Sequence, residues 1–85
     1  MYFVYVLKSI AFLTRYVGSA EDLEKRVNKH NQGRCRYTAG RRPWKLVHYE
    51  CFETRAEAYK RELFLKSGQG RKYLDDLLKN KEYVQ

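Results

Sequence analysis

"YFVYVLK", residues 2–8, carries no charged side chain until Lys8 and is built mainly from aromatic and β-branched residues. A strand facing water on one side would alternate. This one does not, so it reads as a strand buried on both faces. "TRYVGS", residues 14–19, reads as a second short strand. The loop around Ala11 to Leu13 is short enough to make the two an antiparallel pair. Beyond them, Ser19 offers a helix cap with Asp22 as its box partner. That helix should run to Asn31 or Gln32, where Gly33 is a natural stop.

"WKLVHYECF", residues 44–52, reads as a third strand. Thr54 and Glu57 have the spacing of a second capping box, for a helix ending near Gly68. "GRKYLDDLLKN", residues 70–80, reads as a final amphipathic helix with Tyr73, Leu74, Leu77 and Leu78 on one face. Residues 34–44, "RCRYTAGRRPW", form a basic loop in which Gly40 and Pro43 break any regular pattern. The predicted order is β-β-α-β-α-α. Three strands flanked by helices make a small α/β (α+β) fold.

Eighty-five residues are expected to form one domain over 1–85. The formal net charge is +8, an excess that favours a polyanionic partner: nucleic acid first, an anionic membrane surface second. No stretch is long enough to cross a bilayer, and the apolar N-terminal run is too short for a signal peptide. Cys35 and Cys51 read as reduced thiols, which points to the cytoplasm. With His30 and His48 they match no standard zinc spacing.

Three features could carry chemistry. Arg26 and His30 are four apart on the first helix and share a face with Leu23 and Val27. They read either as a snorkelling arginine and a partly buried histidine, or as a cleft edge whose guanidinium forks onto a phosphodiester. Glu62 lies on the apolar stripe of Ala58 and Leu65, while Glu57, Lys60 and Arg61 lie outside it. An inward carboxylate needs a partner: Lys66, four residues on, or a divalent cation. Tyr5 and Tyr16 fit core packing with satisfied hydroxyls, and Gly18 marks a turn or a close backbone approach.

"FVY" at 3–5, "YVG" at 16–18, "DLEKR" ending at Arg26, then His30 and "EAYKRELFLK" containing Glu62 together resemble the GIY-YIG endonuclease domain. The resemblance spans essentially the whole chain and is closest to small standalone bacterial members. It implies a three-stranded antiparallel sheet with surrounding helices, and metal-dependent cutting of a phosphodiester. It places Tyr5 and Tyr16 as the motif tyrosines and Arg26 as the transition-state arginine. It sets His30 near the attacked phosphate and makes Glu62 the metal ligand, for one Mg²⁺ or Mn²⁺. Phe3 stands where the first motif has glycine, and Ser19 where repair members have lysine.

A tyrosine, Tyr5 first, would take the proton from the attacking water. Because a free phenol ionises near pH ~10, it would need Arg26, His30 and the metal to stabilise its phenolate. Arg34, Arg36, Arg41, Arg42 and Lys45, with Tyr37 among them, are the expected nucleic-acid contacts, DNA before RNA. Trp44 is expected to anchor the core. Two other classes fit the same sequence: a binding module that does not cleave, and a small protein recruited to a repair assembly.

Overall fold

The computed structural model describes the backbone of residues 1–84 and the side chains of residues 1–79. Strand β1 (Tyr2–Ser9) lies between β2 (Arg15–Ala20) and β3 (Trp44–Phe52), antiparallel to both. Val4, Tyr5, Val6 and Leu7 are each fully buried, as an unalternating apolar strand requires. Val4 and Val6 point to one face, where they pack with Ala58 and Leu65 of helix α3 (Arg55–Lys66) and Leu74 and Leu78 of α4 (Gly68–Val84). Tyr5 and Leu7 point to the other, among Trp44, Tyr16, and Leu23 and Val27 of α1 (Leu23–Asn31). The sheet thus divides two small cores, and β1 is the wall common to both.

The first helix starts later than its sequence indicates. Ser19 does not cap it: β2 runs on to Ala20, because Ser19 pairs with Val4. Asp22 is the cap, its side chain accepting from the Lys25 amide at 3.0 Å. At the other end Gly33, at φ +79°, lets its own amide reach His30 O and that of Arg34 reach Lys29 O, both at 3.1 Å. This is the double bond of a Schellman close. Thr54 caps α3 as expected, accepting from the Glu57 amide at 3.2 Å.

The basic loop is more ordered than its glycine and proline imply. Residues Arg36–Ala39 form a one-turn helix, α2. Asn31 clamps the start of β3 with both ends of its amide: Nδ2 donates to Trp44 O at 3.0 Å, and Oδ1 accepts from the Trp44 amide at 2.7 Å. The buried Trp44 indole donates to Thr38 O at 2.9 Å, and buried Ser9 donates to Arg41 O at 2.7 Å. These bonds hold the loop against the Tyr5 face of the sheet. The final helix begins at Gly68, before the expected start. Leu74 and Leu78 are buried as expected, whereas Tyr73 is 41% exposed and lies against the Arg61 guanidinium instead.

Candidate active site along an edge strand

β2 is an edge strand, so no further strand separates the two faces of the sheet beyond it. Side chains from β1, α1 and α3 converge on its Gly18–Ser19 segment. In the β1–β2 ladder Tyr5 is opposite Gly18. A Cβ on Gly18 would lie 2.6 Å from the Tyr5 hydroxyl and 3.0 Å from the Tyr16 ring. The missing side chain is therefore the space that the Tyr5 hydroxyl occupies. This is close approach rather than a turn, the second of the two meanings a strand glycine can have.

The Tyr5 hydroxyl is 2.9 Å from His30 Nε2, and His30 Nδ1 is 2.8 Å from Thr38 Oγ1. Thr38 Oγ1 also donates to Cys35 O at 3.2 Å. Its one hydrogen is thereby used, so it accepts from His30, and Nδ1 carries the imidazole proton. Nε2 is left with a lone pair that accepts from Tyr5. Tyr5, His30 and Thr38 are all buried, and the chain of donors runs inward from Tyr5 to the Cys35 carbonyl. Burial lowers the His30 pKa, and the nearby Arg26 lowers it further, so the neutral tautomer is the resting form.

Burial also holds the Tyr5 phenol well above its ordinary range, and Tyr16 adds in the same direction. Arg26 beside it opposes both, as the sequence led us to expect, but does not overcome them. An enclosed phenol loses more by leaving water than one guanidinium returns. Tyr16 is half-buried, its ring 4.9 Å from His30 and 6.3 Å from Tyr5. Arg26 lines a cleft of about 930 Å³ together with Ser19, Lys25, Lys29 and Arg55.

From the opposite face, Glu62 reaches the same segment. Its Oε1 accepts from Ser19 Oγ at 2.7 Å and its Oε2 from Lys66 Nζ at 2.6 Å. The helical ion pair with Lys66 is thus present, but the carboxylate is also turned to β2, and only 14% of it is exposed. Ser19 was passed over as a capping residue; it is a direct partner of Glu62. Thr38 gave no signal at all, because its meaning depends on where His30 sits. Of the loop residues, Arg34, Arg36, Arg41 and Lys45 are exposed. Arg42 is exposed too, but its Nε donates to Ala39 O at 2.8 Å, and its guanidinium occupies the space where a Gly33 side chain would be. It is partly structural.

Residues 1–74 match the model of the GIY-YIG catalytic domain. The chain belongs to that family. Within it, the relatives carry the designation UPF0213. The UPF0213 protein lin0209 of Listeria innocua is 44% identical over 82 residues, 95% of this chain and 89% of its own length. The UPF0213 protein SSP2268 of Staphylococcus saprophyticus is 48% identical over 60 residues, 69% of this chain and 73% of its own. A relative from Haloquadratum walsbyi is 51% identical over 53 residues, and the match spans 60% of that protein's length. The solution structure of the UPF0213 protein BH0048 from Bacillus halodurans is similar, with a TM-score of 0.55 and 32% identity over 91% of this chain and 85% of that one.

Proposed function

We propose that this protein is a metal-dependent endonuclease that hydrolyses phosphodiester bonds in nucleic acid, with DNA the first substrate to test. The observation that carries the reading is the gathering of Tyr5, Tyr16, Arg26, His30 and Glu62 around one two-residue segment of an edge strand. Membership of a nuclease family supports it.

Glu62 is the residue that would hold a divalent cation. The donor fits: one hard carboxylate, mostly shielded, with the ammonium of Lys66 already 2.6 Å away in the place of a cation. Mg²⁺ is commonly held by one or two carboxylates and keeps several waters, so a single glutamate suffices. A bound Mg²⁺ or Mn²⁺ would supply charge stabilisation at the leaving oxygen. Ser19 orients the carboxylate from the far side. Arg26 binds the non-bridging oxygens, its planar fork matching two of them. Tyr5 acts as the base, its own proton going to His30 Nε2, the acceptor it already bonds; burial of both groups opposes that transfer, Arg26 favours it at the phenol, and Thr38 keeps the nitrogen free. Tyr16, its ring 4.9 Å from that of His30, orients the attacking water.

The test is single-turnover cleavage of a labelled DNA panel with and without Mg²⁺, comparing the parent with Glu62→Gln. The expected outcome is metal-dependent cutting by the parent and none by the variant, with the fold retained. If pairing with Lys66 were the sole role of Glu62, the change would cost only about 0.3–0.5 kcal/mol of stability and leave the rate alone. A parent that binds but never cuts would identify a binding module.

A further inference from the structure

At the Thr14–Val17 end of β2 a second cleft, of about 740 Å³, opens between α2 and the α3–α4 corner. Its walls carry the cations Arg15, Arg41, Lys66 and Arg71 and the rings of Tyr16 and Tyr37, and among the described residues no Asp or Glu lines it. Arg15 is engaged by Asp75 at 2.8 Å and Lys66 by Glu62. Among the described residues, Arg41 and Arg71 are held by no carboxylate. Tyr37 is 72% exposed, so it is not there for the core. Its ring meets Tyr16 at a tilt of 43°, centroids 5.9 Å apart, and Tyr16 in turn meets Trp44 edge-on at 6.4 Å. The shelf is rigid, because Thr38 and Trp44 fix the short helix that presents it.

Arginines held by no carboxylate, as Arg41 and Arg71 are, suit phosphate. An exposed ring on a rigid support selects a flat π face. A base inside a duplex has both faces covered by its neighbours; an unstacked base has one to give. We propose that this cleft binds an unpaired nucleotide, its base on Tyr37 and its backbone phosphates on Arg41 and Arg71. The cleft shares Tyr16 with the candidate active site, and its Lys66 is the partner of Glu62, so the unpaired nucleotide sits beside the bond to be cut. The preferred substrate is then a single strand, or the point where a strand leaves a duplex. The placing of the cut rests on the nuclease reading; the binding does not.

The experiment is fluorescence anisotropy of the native protein in EDTA, with labelled oligothymidylate and with its duplex with oligoadenylate at the same salt. The single strand should bind about tenfold more tightly than the duplex, on the scale of one base–aromatic stack. Tyr37→Ala should remove most of that preference, Tyr37→Phe should restore it, and Arg71→Gln should weaken the single strand and lower its salt dependence. Equal or tighter binding of the duplex would overturn the proposal. So would a Tyr37→Ala variant that loses the same factor on both probes. Because no metal is present, the result stands or falls separately from cleavage: a protein that never cuts in Mg²⁺ yet shows this pattern sinks only the nuclease reading.

Discussion

Thr38 shows how much of this site depends on one hydroxyl. It accepts the Nδ1 proton of His30 and so fixes which imidazole nitrogen faces Tyr5. Thr38→Val keeps the shape and removes the acceptor. A buried N–H left without a partner costs about 1–3 kcal/mol, and His30 can avoid that by moving its proton to Nε2, where it would oppose transfer from Tyr5. The expected outcome is a large fall in the single-turnover rate, a changed ¹⁵N tautomer pattern for His30, and recovery of both in Thr38→Ser. An unchanged rate with the tautomer inverted would remove His30 from the proton path. The pH dependence has a definite sign. In the proposed mechanism His30 must be neutral to accept, and its pKa lies below the ordinary imidazole value. The rate should therefore hold as pH falls past about 6.5 and drop only below that. Protonation also favours the unfolded chain, whose histidine has the higher pKa, so stability starts to fall as pH drops past about 6.5, before the rate does.

These residues were unequally legible. Glu62 stood out because helical periodicity alone places it inward. Arg26 and His30 were visible as a pair but ambiguous. The partners of Ser19 and Thr38 were not readable, because each is met only by packing one element on another: Ser19 with Glu62 across 43 positions, Thr38 with a histidine eight positions back.

At the scale of elements, the α3–α4 corner sets where Glu62 and the second cleft sit. Gly70 makes it possible. A Cβ there would collide with Phe64 O and fall 2.5 Å from Leu65 Cα. Both are backbone atoms, which cannot rotate away. Gly70→Ala should therefore destabilise by at least about 1–3 kcal/mol, the usual cost of overpacking, read as a lower urea midpoint. A neutral effect would mean that the corner can open. Sequence placed a glycine at this break between helices without saying why, since a helix stop and a close crossing look alike in one chain. Arg61 tightens the same corner. It holds Glu50 of β3 at 2.7 and 3.2 Å, with its guanidinium over the Phe64 and Tyr73 rings. Burial raises the Glu50 pKa, but the bonds from Arg61 and His48 lower it by more. This contribution is present above the ordinary carboxylate range and lost as pH falls below it.

For the whole molecule, the charge of +8 is the most transferable quantity. Arg34 and Arg36 are exposed and lie outside both clefts. Changing both to Gln should weaken binding to all sequences alike and reduce the slope of log K against log salt by roughly 1.8 on duplex DNA. The rate of the saturated complex should stay the same. A salt series followed by single-turnover cleavage at saturating enzyme checks both. An unchanged slope would show that this part of the loop does not touch the backbone. Overall charge and fold were readable at once from the chain, since both are sums over many residues. The clefts were not, since each is a gap between elements distant in sequence.

The central position of β1 also bears on how the chain is made. Its ladder with β3 joins Tyr2 to Phe52 and Ser9 to Trp44, so the strand at the middle of the sheet leaves the ribosome well before one of its two neighbours exists. The helices that cover Val4 and Val6 come later still. Until then an uncharged segment of high β-propensity is exposed, the kind that pairs with copies of itself. The hairpin with β2 forms early but shields only one edge. Yield in the cell should therefore depend on the speed of translation through residues 9–52 more than on the stability of the finished domain.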